Sequence, residues 1–145
     1  MAEQRVPTRR DEYCAFRVLT TRWLDNDIYG HLNNIVHYAL IDSAVNGWLI
    51  EHKLLDLHRS TQIGVVVESG CRYFSSIAYP DLVTAGIRVS NIGNTSVRYK
   101  IGLFRNDEDV ASAEGYFVHV YVDRDSREPL PLTQTFRAAV ETLQR

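Results

Sequence analysis

Residues 25–50 read DNDIYGHLNNIVHYALIDSAVNGWLI, a dense polar run followed at once by a long apolar one. In the apolar half, Ile35, Tyr38, Ile41, Val45 and Trp48 recur at helical spacing, and Val36, Ala39, Leu40, Ala44 and Leu49 widen the stripe. So wide an apolar face predicts a helix over Ile35–Ile50 that is covered on most sides. His37, Asp42, Ser43 and Asn46 interrupt the run, which excludes it as a membrane span. Asn33 or His31 begins the helix; an Asn there uses its side-chain oxygen to accept an orphan backbone N–H.

On the N-terminal side, Tyr13 to Trp23 is rich in aromatic and β-branched residues and reads as a strand. Before it, residues 1–12 (MAEQRVPTRRDE) are polar and mixed in charge, with no apolar run for a signal peptide. We expect 1–12 to be a flexible arm and 13–145 a single domain. On the C-terminal side, Glu51 to Gln62 reads as a loop. From Ile63 the period becomes two: Val65, Val67, Ser69, Cys71 and Tyr73 alternate with Val66, Glu68, Gly70, Arg72 and Phe74. Tyr79-Pro80-Asp81 is a turn. Ala85, Ile87 and Val89 mark the next strand, and Ile92-Gly93-Asn94-Thr95 has hairpin chemistry. Val97, Tyr99, Ile101 and Leu103 alternate in the strand after it. Beyond a polar turn at Arg105–Asp109, Val110 to Val122 alternates as a long strand, and Leu132 to Arg145 reads as an amphipathic helix. The order is therefore strand, polar loop, buried helix, four antiparallel strands and a terminal helix, an α+β fold. Helices on one face leave the other face and the strand edges open, which favours oligomers.

The chain has 145 residues, 45% of them hydrophobic and 23% charged, which excludes a disordered or fibrous protein. A domain of this size buries roughly 70% of its unfolded surface, so it needs no metal or disulfide staple. Sixteen basic residues against eighteen acidic give a net charge of −2, without the basic excess of a nucleic-acid binder. Cys14 and Cys71 are the only cysteines and form neither a disulfide framework nor a zinc pattern. These features predict a cytoplasmic protein with no metal, cofactor, nucleic-acid or membrane partner.

Five residues that carry chemistry, Asp25, Asp27, His31, Asn33 and Asn34, fall within ten positions at the start of the helix. A helix N-terminus offers unpaired N–H groups and a positive dipole end to a developing oxyanion. A carboxylate beside it attacks a carbonyl or activates water. The same residues also serve as ordinary caps and turn formers.

The segment Arg22 to Asn34, with Tyr38 and Asp42 after it, resembles the signature of hotdog-fold acyl thioesterases. The pattern is D-x-D-x-x-x-H-x-N-N before an apolar helix, and the closest branch is the 4-hydroxybenzoyl-CoA thioesterase-like one. Val66-Val67-Glu68, Cys71-Arg72-Tyr73 and Tyr79-Pro80-Asp81 extend the likeness over most of the chain. It implies a hotdog fold, a curved antiparallel sheet wrapped around a long central helix. It also implies hydrolysis of an acyl-CoA or acyl carrier protein thioester by a homodimer or homotetramer. Carried over, Asp27 is the catalytic carboxylate, as nucleophile or general base. His31 orients the site or handles protons, and the backbone N–H of Asn34 polarises the thioester carbonyl. Tyr29, Gly30, Asn33 and Glu68 are expected to contact substrate. Glu68 either pairs with Arg72 or faces the partner subunit's Asp27; Asp25 is expected to be structural, and Asp42 and His37 to be polar contacts of the helix. The turn Gly93-Asn94-Thr95 lacks the basic cluster that some relatives use for nucleotide phosphates, although Arg88, Arg98 and Lys100 flank it. Two other functions fit the fold: a dehydratase or hydratase on acyl thioesters, and a non-catalytic acyl-thioester-binding module.

Overall fold

The computed structural model describes residues 5–145. Its five strands are β1 (Ala15–Thr20), β2 (Gln62–Tyr73), β3 (Leu82–Ile92), β4 (Ser96–Arg105) and β5 (Ala113–Asp123). They form one antiparallel sheet in the order β1–β3–β4–β5–β2. Two helices, α1 (Asn34–Glu51) and α2 (Gln134–Glu141), bury their apolar residues against one face of it. The α+β hotdog architecture expected from the sequence is the one observed.

Alternation along each strand decides which side meets the helix. Val83, Ala85, Ile87 and Val89 of β3, Val97, Tyr99, Ile101 and Leu103 of β4, and Ala113, Phe117 and Tyr121 of β5 point inward and are buried. Ile41, Ala44, Val45, Trp48 and Leu49 of α1 meet them. Burying each large aliphatic side chain contributes about 1.5–3 kcal/mol, which outweighs any weakness in local propensity. Gly115 lets α1 approach closely: a Cβ there would come within 2.2 Å of the Ile41 side chain. Seen within one chain, α1 is covered on its sheet side only, and Ile35 and Ile50 remain exposed.

Several sequence-based boundaries are corrected. The strand expected over Tyr13–Trp23 is shorter, because Trp23–Asp25 turns into a 3-10 segment closed by the Asp25 carboxylate on the Arg22 N–H. The strand expected from Val110 starts at Ala113, and α2 holds only the middle of Leu132–Arg145, started by a Thr133 cap. The strict alternation expected in β2 is broken by a bulge at Val67, since Val66 pairs His119 and Glu68 pairs Val118. The extra residue puts Val66, not Val65, on the helix side with Ser69 and Cys71.

Residues 1–4 of the expected arm lie outside the described residues. The rest of it is tied to the β4–β5 turn: Arg10 N–H donates to Asp109 O at 3.2 Å, and Ala111 N–H donates to Thr8 O at 2.9 Å. No helix among the described residues is long and apolar enough to cross a membrane.

Candidate active site

The polar loop between β1 and α1 is held by its own backbone. Asp27 N–H donates to His31 O at 2.9 Å and Gly30 N–H to Asp27 O at 3.1 Å, closing a tight turn in which Gly30 sits at φ +87°. Glycine enters that region without the clash a Cβ would bring. Leu32 anchors the far side: its side chain is buried and its N–H donates to Ile77 O at 2.7 Å.

Asp25 and Asp27 play different parts. The Asp25 carboxylate is buried, accepting from Arg22 N–H at 2.7 Å and from the Arg22 guanidinium at 2.9 and 3.0 Å. All of its directional capacity goes into the turn, as its structural reading requires. Asp27 accepts from Tyr29 N–H through Oδ1 at 2.8 Å, while its Oδ2 stands 3.7 Å from His31 Nδ1, beyond hydrogen-bond length. That leaves one oxygen of Asp27 open. His31 Nδ1 lies 3.2 Å from Leu32 O. A carbonyl only accepts, so Nδ1 carries the proton and Nε2 is left as an acceptor when the ring is neutral.

Asn33 is the N-cap: its Oδ1 accepts from Ile35 N–H at 3.2 Å, choosing between the two starts the sequence offered. Val36 N–H is taken by Asn33 O at 2.9 Å. Asn34 N–H makes no hydrogen bond among the described residues. Its carbonyl is fixed, accepting from Tyr73 OH at 3.1 Å. Asp27, Tyr29, His31 and Asn34 line one cavity of about 460 Å³, closed on the other side by the Tyr73–Ile77 segment.

That cavity also contains His37, which sequence reasoning assigned to helix contacts alone. His37 is buried, its ring stands edge-on to Tyr73 at 4.8 Å, and its Nδ1 has no hydrogen-bond partner. Burial lowers its pKa below the ordinary imidazole value, so the ring is a neutral polar group in the cavity wall. Its spacing of three and four residues from Asn34 and Asn33 was the signal that places it under the helix start.

The other expected contacts divide. Tyr29 lines the cavity, stacked at 6.3 Å on His31, whereas Gly30 and Asn33 act through the backbone turn and the cap. Glu68 lies on the sheet's outer face, paired with Arg98 at 3.2 Å and not with Arg72, which stands opposite Glu114. Within one chain it is not part of the Asp27 cavity.

A family model described as the thioesterase-like superfamily matches residues 21–140. The chain belongs to that superfamily. A crystal structure of a protein from Pseudomonas aeruginosa strain PAO1 is 45% identical, with a TM-score of 0.92, covering 95% of this chain and 96% of that one. A second Pseudomonas aeruginosa structure is 25% identical, with a TM-score of 0.81, covering 88% and 98%. A 1,4-dihydroxy-2-naphthoyl-CoA thioesterase from Synechocystis shares the fold at 15% identity, with a TM-score of 0.77 over 86% and 93%. No curated protein sequence matches the chain. The family bears out the expectation of a thioester hydrolase.

Proposed function

We propose that this chain hydrolyses acyl-CoA or related acyl thioesters in the cavity at the start of α1. The observation that carries the proposal is the pairing of two unspent groups on one cavity wall. Asn34 N–H is an orphan donor at a helix N-terminus, and Asp27 Oδ2 is a carboxylate oxygen with no donor of its own. A thioester carbonyl placed on the Asn34 N–H gains a hydrogen bond that strengthens as its oxygen becomes an oxyanion. Asp27 then attacks the carbonyl carbon itself, or takes the proton of a water that does. If Asp27 attacks, the C–S bond breaks, thiolate leaves and a mixed anhydride remains, which water opens to the free acid and the Asp27 carboxylate while its proton goes to the thiolate. If water attacks, Asp27 takes the water's proton and passes it to the leaving thiolate. His31, with Nδ1 turned to Leu32 O, keeps Nε2 as the group that handles protons in this cavity. Tyr29 and Tyr73 provide aromatic walls for the acyl part.

The working unit of this reading is a homodimer at least. β2 is an edge strand of twelve residues whose Val65, Val66 and Val67 are exposed, an unpaired apolar ladder suited to a second copy. A screen of CoA thioesters from short aliphatic to aromatic acyl groups, with light scattering on the same sample, tests both parts. Turnover of at least one CoA thioester by a dimer or tetramer is expected. Absence of hydrolysis across the series, or an active monomer, contradicts the corresponding part.

A further inference from the structure

The site at the start of α1 depends on where Asn34 stands, and little of the helix itself fixes that place. Asn34 and Ile35 are exposed, and of the first turn, Asn34–His37, only His37 is buried. The closest contact of the helix with the sheet comes two turns later, where Ile41 lies over Gly115 too tightly to admit a Cβ. Asn34 is seven residues before Ile41, which is about 10 Å along the axis at the helical rise per residue. Over that length a tilt of about 5° around Ile41 would carry Asn34 by roughly 0.9 Å. A misplacement of about 1 Å at a reacting centre costs on the order of 10²-fold in rate. The helix start therefore needs a tie of its own.

Tyr73 supplies that tie at two points. Its hydroxyl donates to Asn34 O at 3.1 Å, a bond that reaches the first residue of the helix from the sheet. Its ring stands edge-on to His37 at 4.8 Å, one turn further along the same helix. The hydroxyl sets the height of the helix start and the ring opposes its rotation. Tyr73 is itself anchored. It is the last residue of β2 and pairs with Ala113 of β5. The next two N–H groups, of Phe74 and Ser75, both donate to Ser112 O, at 2.8 and 3.1 Å. Desolvation, with Cys71 beside it, raises the pKa of the phenol, so the hydroxyl stays a donor at neutral pH.

We infer, resting on the hydrolytic reading above, that Tyr73 is a positioning residue whose hydroxyl holds the start of α1 so that the Asn34 N–H meets the thioester carbonyl. The Tyr73 ring also lines the cavity. Tyr73→Phe separates the two parts, because it keeps the ring and deletes the hydroxyl. The side chain is partly exposed, so the variant should fold, and melting checks that it does. Hydrolysis of a CoA thioester is compared in the wild type, Tyr73→Phe, Asn34→Pro and the double variant. Tyr73→Phe should lower kcat about 10–10²-fold and leave KM within about threefold, since the acyl wall is retained. In the Asn34→Pro background the same change should cost less than about twofold, because the donor it positions is already gone. Equal losses in the two backgrounds, or an unchanged kcat in Tyr73→Phe, overturn the inference. A second measurement needs no substrate: amide hydrogen exchange at Ile35 and Val36, whose N–H groups are held by Asn33 at 3.2 and 2.9 Å. Both should exchange about tenfold faster in Tyr73→Phe, with Val45 in mid-helix unchanged. Unaltered exchange at both positions overturns the hold whether or not the chain hydrolyses thioesters. Faster exchange in a chain whose wild type turns over no CoA thioester supports the hold and refutes the hydrolytic reading alone.

Discussion

Replacing Asn34 with proline removes one atom from the proposed mechanism, the amide hydrogen, at a place where the fold tolerates the change. Asn34 is the first residue of α1, the helical position where proline is at home because its missing N–H has no helical partner. The residue before it, Asn33, sits at φ −57° and ψ 139°, already in the extended region that a following proline imposes. The Asn33 cap reaches Ile35 N–H and the Tyr73 hydroxyl reaches Asn34 O; neither bond uses the deleted atom. The stability change should therefore stay below the roughly 3 kcal/mol of a proline inside a helix. Loss of one oxyanion donor should lower the single-turnover rate about 10²–10³-fold, or roughly 2.7–4 kcal/mol of transition-state stabilisation. Asn34→Ala is the control: it keeps the amide and should stay near the wild-type rate. The assay is single-turnover release of thiol from an acyl-CoA, paired with thermal melting of each variant. A folded Asn34→Pro protein with an unchanged rate refutes the role given to this N–H.

Asp27→Asn keeps an oxygen for Tyr29 N–H and so should fold normally, while turnover falls about 10²–10⁴-fold. Single turnover of the wild type in ¹⁸O-water, read by mass spectrometry, tests the nucleophilic route: label found in Asp27 establishes attack by the carboxylate, because water that attacks the thioester directly never enters the side chain. Asn33→Ala should cost about 0.5–2 kcal/mol by urea melting, through the lost cap on Ile35 N–H. Burial of His119 holds its pKa down at about 4, so the folded chain binds fewer protons than the unfolded one between that value and 6.5. Stability is then complete above pH 6.5 and declines by about 3 kcal/mol as pH falls to 4. His119→Phe should flatten that acid limb in a melting series, and an unaltered limb would assign it to other groups.

Much of this site is written in short-range chemistry, which a sequence displays. Asn33 as the cap and Gly30 in the turn follow from what each residue type does to the two or three peptide units beside it. The strands were equally legible where alternation is unbroken, as in Val97–Leu103. What failed to show is what depends on pairing across the sheet. The bulge at Val67 arises from the registry of β2 against β5, and it reverses the facing of everything before it. Glu68 found Arg98, thirty residues away on β4, and not the Arg72 that shares its own strand face. His37 looked like one more polar interruption of an apolar helix until the Tyr73 ring was placed against it.

The two acids of the D-x-D pattern show why spacing alone assigns no chemistry. Asp25 and Asp27 have the same functional group, two residues apart, and their difference lies in which donors the turn aims at them. The 3-10 segment Trp23–Asp25 folds the Arg22 N–H back onto Asp25, and the Arg22 side chain follows, so both carboxylate oxygens are engaged. A buried carboxylate with both oxygens held by donors of its own turn has none to present to a substrate, which makes it a strut. Asp27 lies one step further on, where the chain reverses through Gly30 and only the Tyr29 N–H points inward. One donor fixes the rotamer and leaves the second oxygen uncommitted, which is what a base or nucleophile needs. Gly30 is thus a condition for the proposed chemistry without touching it. A side chain at φ +87° would strain the reversal that presents Asp27, so the acid proposed to react depends on a residue three positions away that contributes no functional group.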